Sequence, residues 1–225
     1  MTAKITRLYA IVDRETLDRL GLGVREFAEE LREGGVRLVQ YRDKRNGSQK
    51  VLRAAGEIAS VFEGIDACLI LNDRADLAAL LGWGVHVGQG DLSVAEARRV
   101  LRGGEKLERS ERGGFAVDAA AFLGVSTHDE AQLHVADGTL ADYIAIGPVF
   151  ATTTKSDAEA VVGLEGVRRA RALTAKPLVA IGGIGLGNAR AVVDAGANSV
   201  AVISGLMVEG RRVRDVARDF LEILG

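Results

Sequence analysis

Eight short apolar runs, each about as long as a β-strand, recur along the 225-residue chain with amphipathic segments between them. The intervening segments carry apolar residues at helical spacing, as at Val24, Phe27, Ala28 and Leu31. Strands buried on both faces read as continuous apolar runs, and each parallel pair needs a crossover helix. The pattern therefore predicts one α/β domain over residues 1–225, a single (β/α)8 TIM barrel. The runs are RLYAIVD, VRLVQY, ACLILN, GVHVG, AFLGVS, DYIAIGP, PLVAIGG and SVAVISG.

The competing architecture is a doubly wound open sheet. It is disfavoured because the turn after the first run has no GxGxxG, and because one more helical segment, 211–224, follows the eighth run. Residues 103–114, GGEKLERSERGG, interrupt the alternation with three glutamates and three cations between glycine pairs. We expect a surface insertion there, as a loop or a short extra helix, on the face of the barrel away from the chemistry.

Charge and cysteine content exclude several classes of protein. With 29 basic and 31 acidic side chains the net charge is −2, so no general basic field attracts nucleic acid or an anionic membrane. Cys68 is the only cysteine, which excludes an internal disulfide, and its apolar surroundings favour core packing. No apolar run approaches the length of a membrane span and no secretory signal is visible, so we expect a cytoplasmic protein. No pattern in the chain predicts an oligomeric state.

Polar side chains follow the second, third and fourth runs, where the carboxyl ends of barrel strands would converge. Asp73 and Asp91 could cap helices, but two carboxylates on adjacent strand ends can also hold Mg²⁺. Cations nearby would neutralise a phosphate-bearing substrate, and hydroxyls would donate to its oxygens. The candidates are Arg42, Lys44 and Lys155 for the cations, and Ser126, Thr152 and Thr154 for the hydroxyls. Zn²⁺ is disfavoured because histidines are few; His86 is either a packed histidine or a ligand contact.

Glycines and a serine follow the seventh and eighth runs, in AIGGIG and VISGL. Many barrels bind phosphate at this position through backbone N–H groups. The sequence therefore indicates two anion subsites, one assisted by Mg²⁺ near strands two to four and one without metal at strands seven and eight.

Seven of these motifs, in this order, resemble those of the thiamine-phosphate synthase family: VQYRDK, LNDRADLA, GVHVGQGD, LGVSTH, DYIAIGPVFATTTK, AIGGI and VISG. The resemblance covers essentially the whole chain. It implies a transferase of thiamine biosynthesis that joins 4-amino-5-hydroxymethyl-2-methylpyrimidine diphosphate to 4-methyl-5-(2-phosphooxyethyl)thiazole, releasing pyrophosphate.

The resemblance also implies roles for individual residues. Asp73 and Asp91 would hold Mg²⁺, while Gln40, His86 and Tyr143 would border the pyrimidine. The pyrophosphate would be held by Arg42, Lys44, Asn72, Ser126 and Lys155. The thiazole phosphate would be held by Thr152, Thr154, Gly183, Ile203 and Ser204. Residues 152–163 would close over the ligands as a lid.

Three rival functions are open to such a barrel. A thiazole tautomerase relative would be expected to carry a histidine where this chain has Pro148, which cannot transfer a proton. A non-catalytic relative that binds thiazole phosphate would have no use for the cations of strands two to four. A phosphosugar isomerase would need an acid/base pair, which the sequence does not offer.

Overall fold

Eight parallel strands close into a barrel in the sequence order β1 to β8, and β8 pairs with β1. This is seen in a computed structural model of the chain, which describes residues 5–105, 122–152 and 160–225. Six strands fall inside the apolar runs, and β2 and β5 each extend one residue past theirs, so the predicted TIM barrel is confirmed. The strands are β1 (Leu8–Asp13), β2 (Leu38–Arg42), β3 (Cys68–Asn72), β4 (Gly84–Val87), β5 (Leu123–Thr127), β6 (Tyr143–Ile146), β7 (Leu178–Ile181) and β8 (Ser199–Val202).

Helices connect the strands and form the outer ring of the barrel. On α2 the buried residues are Val24, Phe27, Ala28 and Leu31, so the predicted apolar stripe faces the sheet. The helices of the described ranges are α1 (Arg14–Leu20), α2 (Val24–Glu33), α3 (Ser48–Val61), α4 (Ala75–Leu81), α5 (Val94–Glu105), α6 (Glu130–Asp137), α7 (Gly163–Leu173), α8 (Ala189–Asp194) and α9 (Val213–Leu224), with a 3₁₀ turn at Ser204–Leu206. Among these helices none is both long enough and apolar enough to cross a membrane.

The predicted insertion at 103–114 begins inside a helix rather than in a loop. Helix α5 continues through Gly103 and Gly104 and ends at Glu105, because glycine lowers helix stability without preventing a helix whose other residues favour it. Residues 106–121 lie outside the described part of the chain.

Two apolar layers form the core. The larger lies between the sheet and the helices, and the smaller fills the barrel interior. The interior layer includes Tyr9, Phe122 and Tyr143, with Cys68 packed against it. Burial raises the pKa of the Cys68 thiol to about 12, so the thiol stays protonated and is a poor nucleophile. Five polar side chains are also buried on the described strands: Asp13, Gln40, His86, Thr127 and Ser199.

Candidate active site

The carboxyl ends of the strands surround a narrow cavity of about 30 Å³ in the mouth of the barrel. All eight strands or the residues next to them contribute to its wall, as barrel geometry requires. Its lining residues are Tyr9, Ile11, Gln40, Arg42, Asn72, His86, Ser126, Ala145, Val179, Ile181, Ala201 and Ile203. Six of the predicted site residues therefore line one cavity: Gln40, Arg42, Asn72, His86, Ser126 and Ile203.

A larger depression of about 460 Å³ lies elsewhere, beside α6 and α7. It is lined by residues such as Asp129, Glu130, Val161 and Arg169. None of the residues that line the cavity in the barrel mouth also lines this depression, and Glu130 and Arg169 already pair with each other there. Chemistry that depends on converging charged groups therefore belongs to the barrel mouth.

Asp73 and Asp91 lie together at the ends of β3 and β4. They are close enough to share a hydrogen bond, and burial, followed by this contact with Asp91, raises the pKa of Asp73. Backbone bonds fix both residues: Asp73 N donates to His86 O at 2.8 Å, and Gly88 N donates to Asp91 Oδ2 at 2.9 Å. Asp73 also adopts a left-handed φ of 61°, which is uncommon for a residue other than glycine.

The carboxylate pair fits a hard divalent cation. Lys44 Nζ lies 3.1 Å from Asp73 Oδ2, so positive charge already neutralises part of the cluster. In the described ranges no group of three or more histidine, cysteine or acidic side chains comes together as a metal cage. Mg²⁺ commonly takes one or two carboxylates and fills its remaining positions with water and phosphate oxygens, and the pair offers that number.

Arg42 is held in place by a carboxylate that sequence reasoning missed. Asp13, at the end of β1, is 3% exposed and accepts a hydrogen bond from Arg42 Nη1 at 2.5 Å. The same carboxylate caps α1, accepting from Thr16 N at 3.0 Å and from Thr16 Oγ at 2.8 Å. The strand-end rule that found the other site residues applies to Asp13 as well, because Asp13 closes the first apolar run.

The glycine-rich segment after β7 packs against the segment after β6. Val149 N donates to Ile181 O at 2.9 Å, and Phe150 N donates to Gly182 O at 3.0 Å. Gly183 has a φ of 63°, and a Cβ on it would come within 2.5 Å of Ala151 O. Only glycine permits this approach, which brings the segment that carries Thr152 beside the segment that carries Gly183.

Comparison with known proteins identifies the family. The family described as "Thiamine monophosphate synthase" matches residues 8–206. The chain belongs to this family. Thiamine-phosphate synthase of Koribacter versatilis is 46% identical over 224 residues, covering 98% of this chain and 97% of the relative. Thiamine-phosphate synthase of Chloroflexus aurantiacus is 42% identical over 204 residues, covering 89% and 85%.

One solved structure agrees with this assignment, and a second shares the fold. Thiamine phosphate pyrophosphorylase from Pyrococcus furiosus superposes with a TM-score of 0.78 at 29% identity, covering 97% of this chain and 95% of that one. A structure described as native KDPGal superposes with a TM-score of 0.68 at 16% identity, over 99% of this chain and 97% of that one, and shows the shared barrel alone.

Most residues with a role implied by the thiamine monophosphate synthase family lie at the barrel mouth. Tyr143 is fully buried and is not among the residues that line the cavity, and its hydroxyl is 2.9 Å from His86 Nδ1, which does line it. Ser204 begins the 3₁₀ turn after β8. Thr154 and Lys155 lie outside the described residues, as does most of the predicted lid. The roles of these residues stay predictions.

Proposed function

We propose that this chain is a thiamine-phosphate synthase that joins the pyrimidine diphosphate to the thiazole phosphate and releases pyrophosphate. Its family and its relatives support the activity, and the named relatives are enzymes of that kind. The observation that carries the proposal at the level of the site is the carboxylate pair, Asp73 and Asp91, beside Lys44 and Arg42. A site that must stabilise a departing pyrophosphate needs such a combination of metal ligands and cations.

Asp73 and Asp91 would hold the Mg²⁺ ion. When bound, the ion would supply positive charge to pyrophosphate oxygens as charge builds up on them. Lys44, which is 51% exposed, can turn from Asp73 toward a ligand because its amine is tethered only at the end of a flexible stem. Asp13 would keep Arg42 aimed at the cavity with its second guanidinium nitrogen available.

The chain's own residues would then complete the pyrophosphate subsite. Arg42, Lys44 and Lys155 would offset its charge, and Asn72 and Ser126 would donate hydrogen bonds to its oxygens. The electron pair of the pyrimidine C–O bond leaves with pyrophosphate, and the amino group of the ring stabilises the cation that remains. The thiazole nitrogen forms the new C–N bond with its own lone pair, so no general base is required.

The second anion subsite would receive the thiazole phosphate. Gly183 and Ser204 would contribute backbone and hydroxyl donors, and Thr152 and Thr154 would add hydroxyl donors. The close packing of the segments after β6 and β7 supports this grouping. Ile203, which lines the cavity, would supply apolar contact between the two subsites.

The tautomerase alternative requires a group that moves a proton at the position of Pro148. Proline has no titratable side chain, and a tautomerase does not need the carboxylate pair. We therefore favour the synthase.

A turnover assay tests the proposal. Purified protein is mixed with both substrates, with and without Mg²⁺, and thiamine phosphate is followed as its fluorescent oxidation product. We expect product only with Mg²⁺, and loss of product in Asp73→Asn. Asp194→Asn is the matched control, because Asp194 is an exposed acid on α8 that pairs with Arg190. No product from folded protein that still binds thiazole phosphate would refute the synthase and favour a binding or tautomerase role.

A further inference from the structure

Five polar side chains form a continuous hydrogen-bonded chain across the interior of the barrel. Gln40 Nε2 donates to the Tyr9 hydroxyl at 2.7 Å, and the Tyr9 and Tyr143 hydroxyls are 3.0 Å apart. The Tyr143 hydroxyl is 2.9 Å from His86 Nδ1, and His86 Nε2 is 2.8 Å from Ser126 Oγ. We call this series, from Gln40 to Ser126, the interior chain. Four of its five members line the cavity, and Tyr143 alone is not among the lining residues.

The donors and acceptors of the interior chain determine its direction. Gln40 donates to Tyr9, so the hydroxyl hydrogen of Tyr9 must find a different acceptor. The only other polar contact of the Tyr9 hydroxyl among the described residues is the Tyr143 oxygen. Tyr9 therefore donates to Tyr143, which leaves the Tyr143 hydrogen for His86 Nδ1.

Nδ1 of a neutral histidine that accepts a hydrogen bond leaves the ring proton on Nε2. Nε2–H then donates to Ser126 Oγ, and the hydroxyl hydrogen of Ser126 points away from His86. If the hydrogen bonds instead ran from Ser126 through His86 and Tyr143 to Tyr9, the buried Tyr9 hydroxyl would have no acceptor among the described residues, which costs about 1–3 kcal/mol. That cost favours the direction from Gln40 to Ser126.

Ring packing holds the two phenols in the positions that this chain requires. The Tyr143 ring stacks on His86 at a centroid distance of 5.5 Å and on Phe122 at 5.2 Å. Gly124 makes room for the ring, because a Cβ there would lie 1.9 Å from Tyr143 Cζ. The Tyr9 ring meets that of Tyr143 edge to face at 6.1 Å. Both phenols stay protonated, since burial raises the pKa of each.

We propose that Tyr9 and Tyr143 are positioning residues that hold His86 as its Nε2–H tautomer and thereby direct the Ser126 hydroxyl hydrogen toward the ligand. The assignment of that ligand as pyrophosphate rests on the proposed function. The tautomer does not, because the protein's own donors and acceptors determine it without a ligand.

The first test is ¹⁵N NMR of the histidine side chains of the ligand-free protein, well above the ordinary histidine pKa. His128 provides an internal standard of the opposite kind, because its Nδ1 lies 2.6 Å from the carbonyl oxygen of Gly147 and must carry the proton there. We expect His86 to show a protonated Nε2 and an unprotonated Nδ1. A His86 that carries its proton on Nδ1, as His128 does, would overturn the proposal.

Two variants test the direction. Tyr143→Phe removes the donor to His86 Nδ1, so we expect both His86 nitrogens to shift toward values averaged over two tautomers. Gln40→Glu replaces the donor at the head of the chain with an acceptor, so we expect the proton to move to Nδ1. This variant is measured at a pH where the ¹³C shift of the new carboxyl shows that it is ionised. An unchanged tautomer in both variants would refute the role of the interior chain.

Tyr41→Phe is the matched control, because Tyr41 is an equally buried phenol that donates to Asp43 instead. It should leave the His86 resonances unchanged, and thermal unfolding should confirm that each variant folds. In turnover, Tyr143→Phe should lower kcat roughly tenfold, the scale of one hydrogen bond to a charged group, with little change in KM for thiazole phosphate. Wild-type protein with the expected tautomer but no turnover would refute the proposed function and leave this inference standing.

Discussion

Replacing Asp13 with asparagine should lower both stability and activity, because Arg42 would lose its counter-charge. The Asp13 carboxylate is 3% exposed and the Arg42 side chain 14% exposed, so little water screens the pair. An asparagine side chain can still cap α1 through its oxygen, which keeps the helix contribution nearly constant. Its amide hydrogens would then face the guanidinium, which leaves Arg42 buried without a counter-charge.

The magnitude follows from that geometry. Removing one partner of a buried ion pair costs about 3–5 kcal/mol, whereas an exposed pair is worth about 0–1 kcal/mol. Because Arg42 keeps some exposure and can turn toward solvent, we expect Asp13→Asn to lose about 3 kcal/mol of unfolding free energy. Pyrophosphate with Mg²⁺ should restore part of this loss by placing negative charge beside Arg42.

Urea unfolding followed by circular dichroism measures the change, with Asp194→Asn as the exposed-pair control. The two variants should differ by about 2 kcal/mol or more, and pyrophosphate with Mg²⁺ should raise the unfolding midpoint of Asp13→Asn more than that of the wild type. In turnover, kcat/KM for the pyrimidine diphosphate should fall about 10- to 100-fold. Equal losses in Asp13→Asn and Asp194→Asn would refute the reasoning, because the Asp13–Arg42 pair would then behave like one at the surface.

Three further predictions concern other parts of the barrel. Asp73→Ala should abolish Mg²⁺-dependent turnover while thiazole-phosphate binding, measured by calorimetry, stays nearly intact; loss of both together would mean that Asp73 is structural. Hydrogen bonds from Arg214 hold the pKa of Glu30 at about 2, below its ordinary 4.5, so the stability that Glu30 contributes is complete above about pH 5 and is lost as the pH falls toward 2. Urea midpoints between these limits should therefore fall less steeply in Glu30→Gln than in the wild type, and parallel profiles would contradict this. Gly124→Ala should destabilise the protein by about 3 kcal/mol or more, because the new methyl overlaps the Tyr143 ring; a melting temperature within error of the wild type would show that the ring moves freely.

The fold could be predicted almost completely because barrel strands are buried on both faces. A continuous apolar run is a strong signal for such a strand, and each of the eight runs marks one to within a residue of its end. The end of α5 was harder to predict, because glycine pairs mark loops in most sequences although a helix can include them.

The site could be predicted where polar residues stand at strand ends, as Gln40, Asn72 and Asp73 do. Tyr9 was missed because a tyrosine inside RLYAIVD reads as core, and the sequence does not reveal that its hydroxyl meets two partners. Asp13 was overlooked although the strand-end rule covers it. The resemblance places Tyr143 beside the pyrimidine, and the sequence does not reveal that its hydroxyl lies 2.9 Å from His86 Nδ1.

Close neighbours leave no room for a side chain at Gly124 or Gly183. A Cβ would lie 1.9 Å from the Tyr143 ring at Gly124 and 2.5 Å from the Ala151 carbonyl oxygen at Gly183. In a saturation library scored for growth on thiamine-free medium, both positions should accept almost no substitution. Each intolerance would follow from close packing, and at Gly183 it would be expected whether or not the backbone N–H binds the thiazole phosphate. A map of mutational tolerance for this barrel will therefore mark more positions than those that contact ligands, and abundance measurements would separate the two groups.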